Sequence, residues 1–201
     1  MTGNNFFEKA AAGLAQNGNI QEKYIKLYAK AMEVVLAMGI NLLTALLIGY
    51  LCGMLRQCVL FLIAFIPLRS YAGGYHARGY ISCYLESCAL LTAALLLIRY
   101  LGTQRTITTA FWQVFVISAI VVFTFAPLAD ANKPISEKET VIFRKRARLI
   151  LCAEVLITVI FTCLRVDWSY PVMMAVAVSA FALVLHKCKE YLKTSRKQVG
   201  D

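Results

Sequence analysis

Charge is what this chain has least of. Only 16% of its 201 residues are charged and only 11 are acidic, against 60% hydrophobic. A globular core of that length cannot hide so much apolar surface, which excludes an ordinary soluble domain and points to lipid as the solvent. Histidine occurs twice, and no CxxC pair occurs among the seven cysteines, Cys52, Cys58, Cys83, Cys88, Cys152, Cys163 and Cys188. An odd number lying mostly in or beside apolar runs argues against a disulfide framework and a structural zinc site; most read as small, soft packing residues. With His186 far from His76, a metal centre lacks ligands, and no cofactor is expected. No repeat of solenoid length and no low-complexity linker divides the chain, so one membrane domain is expected. The start, "MTGNNFFEKAAAGLAQNG", lacks the charged, apolar and small-residue order of a cleavable signal.

What is present is a series of apolar runs with cations at their ends. Six segments stand out, roughly 33–50, 54–68, 85–101, 107–128, 149–164 and 170–186, several near the ~20 residues that span a bilayer. The second is weak, with few apolar residues between Arg56 and Arg69. It must span with Arg56 snorkelling or the bilayer thinned, or else be re-entrant. The net charge of +10 does not form the continuous basic face that nucleic acid requires, so no nucleic-acid partner is expected. With six crossings and both termini cytoplasmic, the inner parts hold Lys9 to Lys30, Arg69 and Arg78, Lys133 to Arg148, and Lys187 to Lys197. The outer parts hold only Arg56, Arg99, Arg105 and Arg165. That partition follows the positive-inside rule. The expected class is an all-α polytopic membrane protein with about six hydrophobic segments plus an N-terminal amphipathic interfacial helix. Residues 1–32 form the interfacial region, 33–186 the transmembrane domain and 187–201 a basic cytoplasmic tail. In the first part, Ile20, Tyr24, Leu27, Tyr28 and Ala31 line one helical stripe, the pattern of a helix in the interface plane.

One stretch departs from this plan. "SYAGGYHARGYISCYLES", residues 70–87, sets Gly73, Gly74, His76, Gly79 and Cys83 between two apolar segments. On an unbroken helix, residues seven apart are separated by about 10.5 Å along the axis, too far for an imidazole to reach a thiol. The glycines argue against an unbroken helix, because glycine readily takes positive φ and lowers helix stability. The segment is therefore free to fold back and join His76 to Cys83. Cys83 then falls at the start of the third apolar segment, where a helix N-terminus favours a thiolate and offers N–H groups to a developing oxyanion. A nucleophile, a base and an electrophilic pocket are the parts of a cysteine peptidase. The residues alone leave a second reading open, a cysteine packed at the bilayer edge and a histidine solvated by headgroups.

The run Arg69-Ser-Tyr-Ala-Gly73-Gly74-Tyr-His76-Ala, with Cys83 seven residues after the histidine, resembles the core motif of the AgrB (accessory gene regulator B) family. These are bacterial membrane cysteine endopeptidases that process AgrD-type quorum-sensing propeptides. The stretch "APLADANKPIS" at 126–136 resembles a second signature of the family, and length and hydropathy agree. The resemblance implies a cell-membrane location, His76 and Cys83 as the catalytic pair, and required roles for Arg69 and Gly74. It also implies a propeptide with an amphipathic helix, a central segment containing Cys or Ser, and an acidic tail.

The other polar residues each have two readings. Glu86 is a third catalytic group orienting His76, or a solvated carboxylate on the first turn of its helix. Arg69 clamps substrate, or snorkels to the interface; Gly73 supports the loop. Arg144, Lys145, Arg146 and Arg148 attract the acidic tail, or only mark the inner side. Asn41 and Glu154, inside apolar segments, are expected to hydrogen-bond between helices, within the chain or across a homodimer. A rival from another class is a non-enzymatic transporter or scaffold whose glycine-rich loop is a gate.

Overall fold

The computed structural model describes residues 4–16, 22–73, 80–103, 108–128 and 137–199. The regular elements among them are helical: α1 (Asn4–Gln16), a 3-10 turn (Glu22–Tyr24), α2 (Ile25–Leu51), α3 (Leu55–Ala72), α4 (Tyr80–Thr103), α5 (Thr108–Phe125), α6 (Glu137–Cys163) and α7 (Ser169–Val199). The chain is an all-α membrane protein, and each expected apolar segment lies within or largely within one of α2 to α7. Among the described residues four helices are long and apolar enough to cross a membrane: Ile25–Leu51, Leu55–Ala72, Ile81–Gly102 and Ser169–Lys189. A shorter apolar helix covers Thr109–Phe125. The count of about six is thus approximate. The α6 helix falls outside the four because its apolar half continues a charged half, "EKETVIFRKRAR", in one helix.

The α3 helix carries the second segment past the bounds read from its apolar residues. It does not stop at Arg69 but continues to Ala72. Its 18 residues reach about 27 Å at 1.5 Å each, close to the hydrocarbon thickness. Pro67 lies inside it and cannot donate to the Ile63 carbonyl, a loss that membrane helices tolerate.

Packing divides the chain into Met1–Leu47 and Ile48–Asp201. In the first unit the expected boundary at 32/33 is not marked by a break, since α2 runs through it. Tyr24, Leu27 and Tyr28 of the predicted stripe are exposed, as are Lys23, Lys26 and Lys30 outside it, and Lys30 pairs with Glu33 at 2.9 Å.

In the second unit α7 is the central helix, packed against α3, α4, α5 and α6. Of its apolar window 61% is buried, against 28% for α3 and 22% for α4. Residues 171–176 are all buried, the mark of a helix covered on every side. Met173, Val176 and Leu183 meet a core that includes Phe61, Leu68, Leu95 and Val122. Many apolar side chains face outward, among them Ile63, Leu97, Ile117 and Ile120, and in this composition that surface is lipid-facing. Hydroxyls on these helices are satisfied locally. Ser70, Ser87, Thr92, Thr124, Thr158 and Ser179 each donate to the carbonyl four residues back, at 2.7–2.8 Å.

Two helix ends close in the same way. At the end of α2, Gly53 takes φ 66°, its N–H reaches the Tyr50 carbonyl at 2.9 Å, and the Met54 N–H reaches that of Gly49 at 2.8 Å. At the end of α6, Arg165 occupies the equivalent place with φ 55°, and the Val166 N–H reaches Phe161 at 3.0 Å. Both are Schellman closures, which satisfy carbonyls a helix end would otherwise leave bare.

Candidate active site

The predicted site falls on the end of α3 and the start of α4. Cys83 is the fourth residue of α4, in its first turn, and is half-buried. Its carbonyl accepts a hydrogen bond from Ser87 Oγ at 2.7 Å, an ordinary bond of the helix. Glu86 is exposed and stands in the second turn, one turn deeper than the solvated first-turn carboxylate expected. His76 and Gly74 lie outside the described residues, as do 129–136 of the second signature.

Arg69 and Gly73 come together, and the reason is local. Arg69 sits in the last turn of α3, four residues before Gly73, so its guanidinium reaches the carbonyl that the helix leaves unpaired and donates to Gly73 O through Nη1. The Gly73 N–H donates to the Arg69 carbonyl at 3.2 Å, and Gly73 itself takes φ 72°. At that φ only glycine is free of strain. Arg69 is therefore bound to the chain's own backbone.

The second signature meets the first at this point. The Leu128 N–H donates to the Ala72 carbonyl at 3.1 Å, and Gly73 and Leu128 form an isolated parallel bridge. A β-carbon on Gly73 would run into the Leu128 carbonyl oxygen. Thus "APL" at 126–128 lies against the Arg69–Gly73 motif, although some 55 residues separate them in sequence. Nothing in the spacing of the two stretches marks this contact, and Leu128 carries no motif signal of its own.

Tyr71, between Arg69 and Gly73, points toward α6. Its ring meets Phe143 edge-on at 5.8 Å, its hydroxyl accepts from Arg146 Nη1 at 3.2 Å, and the Arg146 guanidinium lies 5.4 Å from the ring centre. Farther along α6, Arg148 covers the Phe123 ring at 4.3 Å, and Lys187 of α7 lies 3.7 Å from the centre of Phe125. Part of the basic cluster thus rests on aromatic faces, a favourable use of a cation at an interface. Arg144 and Lys145 remain exposed.

Glu154 differs from expectation. It is 4% exposed, and neither carboxylate oxygen has a hydrogen-bond partner among the described residues. The interhelical bond predicted for it is not made within the described chain. Among the described residues no group of three or more His, Cys, Asp or Glu side chains is arranged to hold a metal ion.

The profile of the family described as Accessory gene regulator B matches residues 7–186. The chain is 24% identical over 136 residues to Accessory gene regulator protein B of Staphylococcus intermedius, covering 67% of this chain and 70% of that protein. It is 26% identical over 119 residues to Protein FsrB of Enterococcus faecalis, covering 58% and 48% respectively. It is 17% identical over 163 residues to Putative AgrB-like protein 1 of Clostridium perfringens, covering 81% and 85%. No solved structure matches.

Proposed function

Because the chain belongs to the accessory gene regulator B family, whose membership supports a role in accessory gene regulator peptide processing, we propose that it is a membrane cysteine endopeptidase. Its substrate is an AgrD-type propeptide, cut on the C-terminal side of its central segment. The observation that carries this reading is the family match over residues 7–186 in a chain that keeps His76 and Cys83 at the motif's spacing. The half-buried position of Cys83 in the first turn of α4 supports it, since a nucleophile needs both access and a site from which water is largely kept out.

In the proposed reaction the Cys83 sulfur attacks the carbonyl carbon joining core and tail. The C–N bond breaks, His76 gives its proton to the leaving amine, and a thioester links the peptide to Cys83. A thiol or hydroxyl within the bound peptide, giving its proton to the now neutral His76, then attacks the thioester. Cys83 leaves as thiolate and the peptide departs as a cyclic thiolactone or lactone. Exchange between thioesters is nearly balanced, whereas making one from an amide is uphill, so removal of the acidic tail drives the sequence forward. Six crossings with both termini in the cytoplasm would put the site on the side where a cytosolic propeptide arrives.

Cleavage of the propeptide by membranes carrying Cys83→Ala or Cys83→Ser tests this. Both variants should insert normally and release no tail, because alanine removes the nucleophile and serine offers a hydroxyl far harder to deprotonate. Wild-type cleavage by Cys83→Ala would end the proposal.

A further inference from the structure

A cavity of about 270 Å³ opens where the α2–α3 turn, the last turns of α4 and the α6–α7 turn come together. Arg99 of α4 and Asp167 of the α6–α7 turn both line it, with Gln57 of α3 and Tyr170 of α7. Arg99 follows Cys83 by sixteen residues of one helix, about 24 Å at 1.5 Å each, so this cavity and the candidate active site lie toward opposite ends of α4. The two opposite charges border one opening without neutralising each other. Among the described residues neither makes an ion pair.

Aromatic side chains set the level of the cavity in the membrane. Tyr50 near the end of α2, Tyr100 near the end of α4 and Trp168 in the α6–α7 turn are exposed at this end of the bundle. Tyrosine and tryptophan concentrate where hydrocarbon gives way to headgroups, because each has an apolar body and a polar tip. Leu51, Leu55 and Leu164 are exposed at the same end, an apolar surface against which acyl chains can lie. The α4 helix adds a polarity of its own. Its last turn carries no basic residue, so no side chain of that turn offsets the negative pole of the helix, and a β-carbon on Gly102 would meet nothing within 4 Å. Asp167 and the α4 terminus thus favour a cation, and Arg99 an anion, within one cavity.

From this arrangement we propose that the cavity is a binding site for the headgroup of a phospholipid bearing both a phosphate and a primary ammonium, the ethanolamine type. Arg99 donates to the phosphate oxygens, a task for which the planar, permanently charged guanidinium is suited. Asp167 accepts from the ammonium, which the α4 terminus also attracts. The acyl chains lie outside the cavity along the exposed leucines. Because Gln57, Arg99 and Tyr170 stand on three different helices, a bound headgroup ties α3, α4 and α7 together at this end, and such a lipid stabilises the folded bundle by mass action. The site is independent of the peptidase reading and stands whether or not Cys83 is a nucleophile.

The test uses the full chain purified in detergent and native mass spectrometry with added phosphatidylethanolamine, phosphatidylcholine or phosphatidylglycerol of the same acyl chains, and with soluble O-phosphoethanolamine. Wild type should retain one phosphatidylethanolamine about tenfold more tightly than either other lipid, because choline has no N–H to donate and glycerol carries no cation. Asp167→Asn should erase that preference, and Arg99→Gln should weaken retention of all three lipids by about tenfold. Both residues are exposed, so neither change opens a hole in the core, and the headgroup series on wild type decides the matter if a variant fails to insert. Equal retention of the three lipids by wild type would mean a nonspecific lipid coat and would overturn the proposal, as would a preference left unchanged by both variants. Soluble O-phosphoethanolamine should bind far more weakly than the lipid. Equal affinity for the two would overturn the lipid source and give the cavity to a water-borne zwitterion.

Discussion

Gly49 of α2 and Cys58 of α3 touch so closely that a β-carbon placed on Gly49 would stand 2.6 Å from the Cys58 β-carbon and 2.9 Å from its sulfur. Contact at this distance lets two helix backbones approach where lipid leaves no hydrophobic force to bring them together, so dispersion and fit must do it. The Gly49 carbonyl also takes the Met54 N–H that closes the turn, so packing and turn meet at one residue.

Gly49→Ala should therefore destabilise the protein in detergent by about 1–3 kcal/mol, the usual scale of overpacking. Cys58→Ala in the same chain should not rescue it, because the β-carbon remains. Cys58→Gly should rescue much of the loss by removing both colliding atoms. Thermal midpoints of the three variants check this, and rescue by Cys58→Ala would show that the sulfur alone is responsible.

Hydropathy made most of this fold legible, because a bilayer imposes one simple requirement on every segment it contains. The six apolar runs are α2 to α7 with ragged ends. Where charge and helix disagree, the sequence misleads. Arg69 ends an apolar run but not a helix, since backbone hydrogen bonding continues whatever the side chain, and α3 stops only where Gly73 turns to positive φ. The central place of α7 was not legible, for a run as apolar as "PVMMAVAVSAFALVL" does not say whether lipid or protein surrounds it. Nor was the meeting of Gly73 with Leu128, a contact that no spacing encodes. His76 and Cys83 stood out by composition as the polar exceptions in an apolar chain, and it was the resemblance that gave them a substrate.

Glu154 is buried and lacks a partner among the described residues, so removing its carboxylate should cost little. An ionisable group that makes no compensating bond adds no attraction, and an apolar replacement of similar volume is often neutral or stabilising. Glu154→Gln and Glu154→Met should change stability by less than about 1.5 kcal/mol and leave propeptide cleavage at wild-type level. Loss of cleavage with normal insertion would place Glu154 in the chemistry instead.

Arg165 holds φ 55° at the end of α6, where the closure favours glycine. Its side chain is exposed, so replacing it removes backbone strain without opening a cavity. Arg165→Gly should stabilise the purified protein, by up to about 1 kcal/mol once the greater freedom of the unfolded glycine is set against the relieved strain. Arg165→Val should destabilise it, as a β-branched residue tolerates that region least. The order Gly above Arg above Val in thermal midpoint is the expected result, and its reversal would show that the turn is not formed in the membrane.

The side of the membrane on which each helix end lies decides whether the proposed site can meet a cytosolic propeptide. Glu139, at the start of α6, and Asp167, in the turn before α7, are both exposed and lie at opposite ends of α6. Glu139 and its neighbours up to Arg148 belong to the basic stretch that the proposed topology, following the positive-inside rule, would put in the cytoplasm. In a chain freed of native cysteines, Glu139→Cys should react with a membrane-impermeant maleimide only after cells are opened, and Asp167→Cys should react in intact cells. The end of α3 makes the same test informative for the site, because Tyr71 is hydrogen-bonded to Arg146 and so lies at the level of that basic stretch. Labelling of Glu139→Cys in intact cells would carry Tyr71, and with it the Arg69–Gly73 motif, to the outer face. A propeptide made in the cytosol could not then reach Cys83 without first being exported.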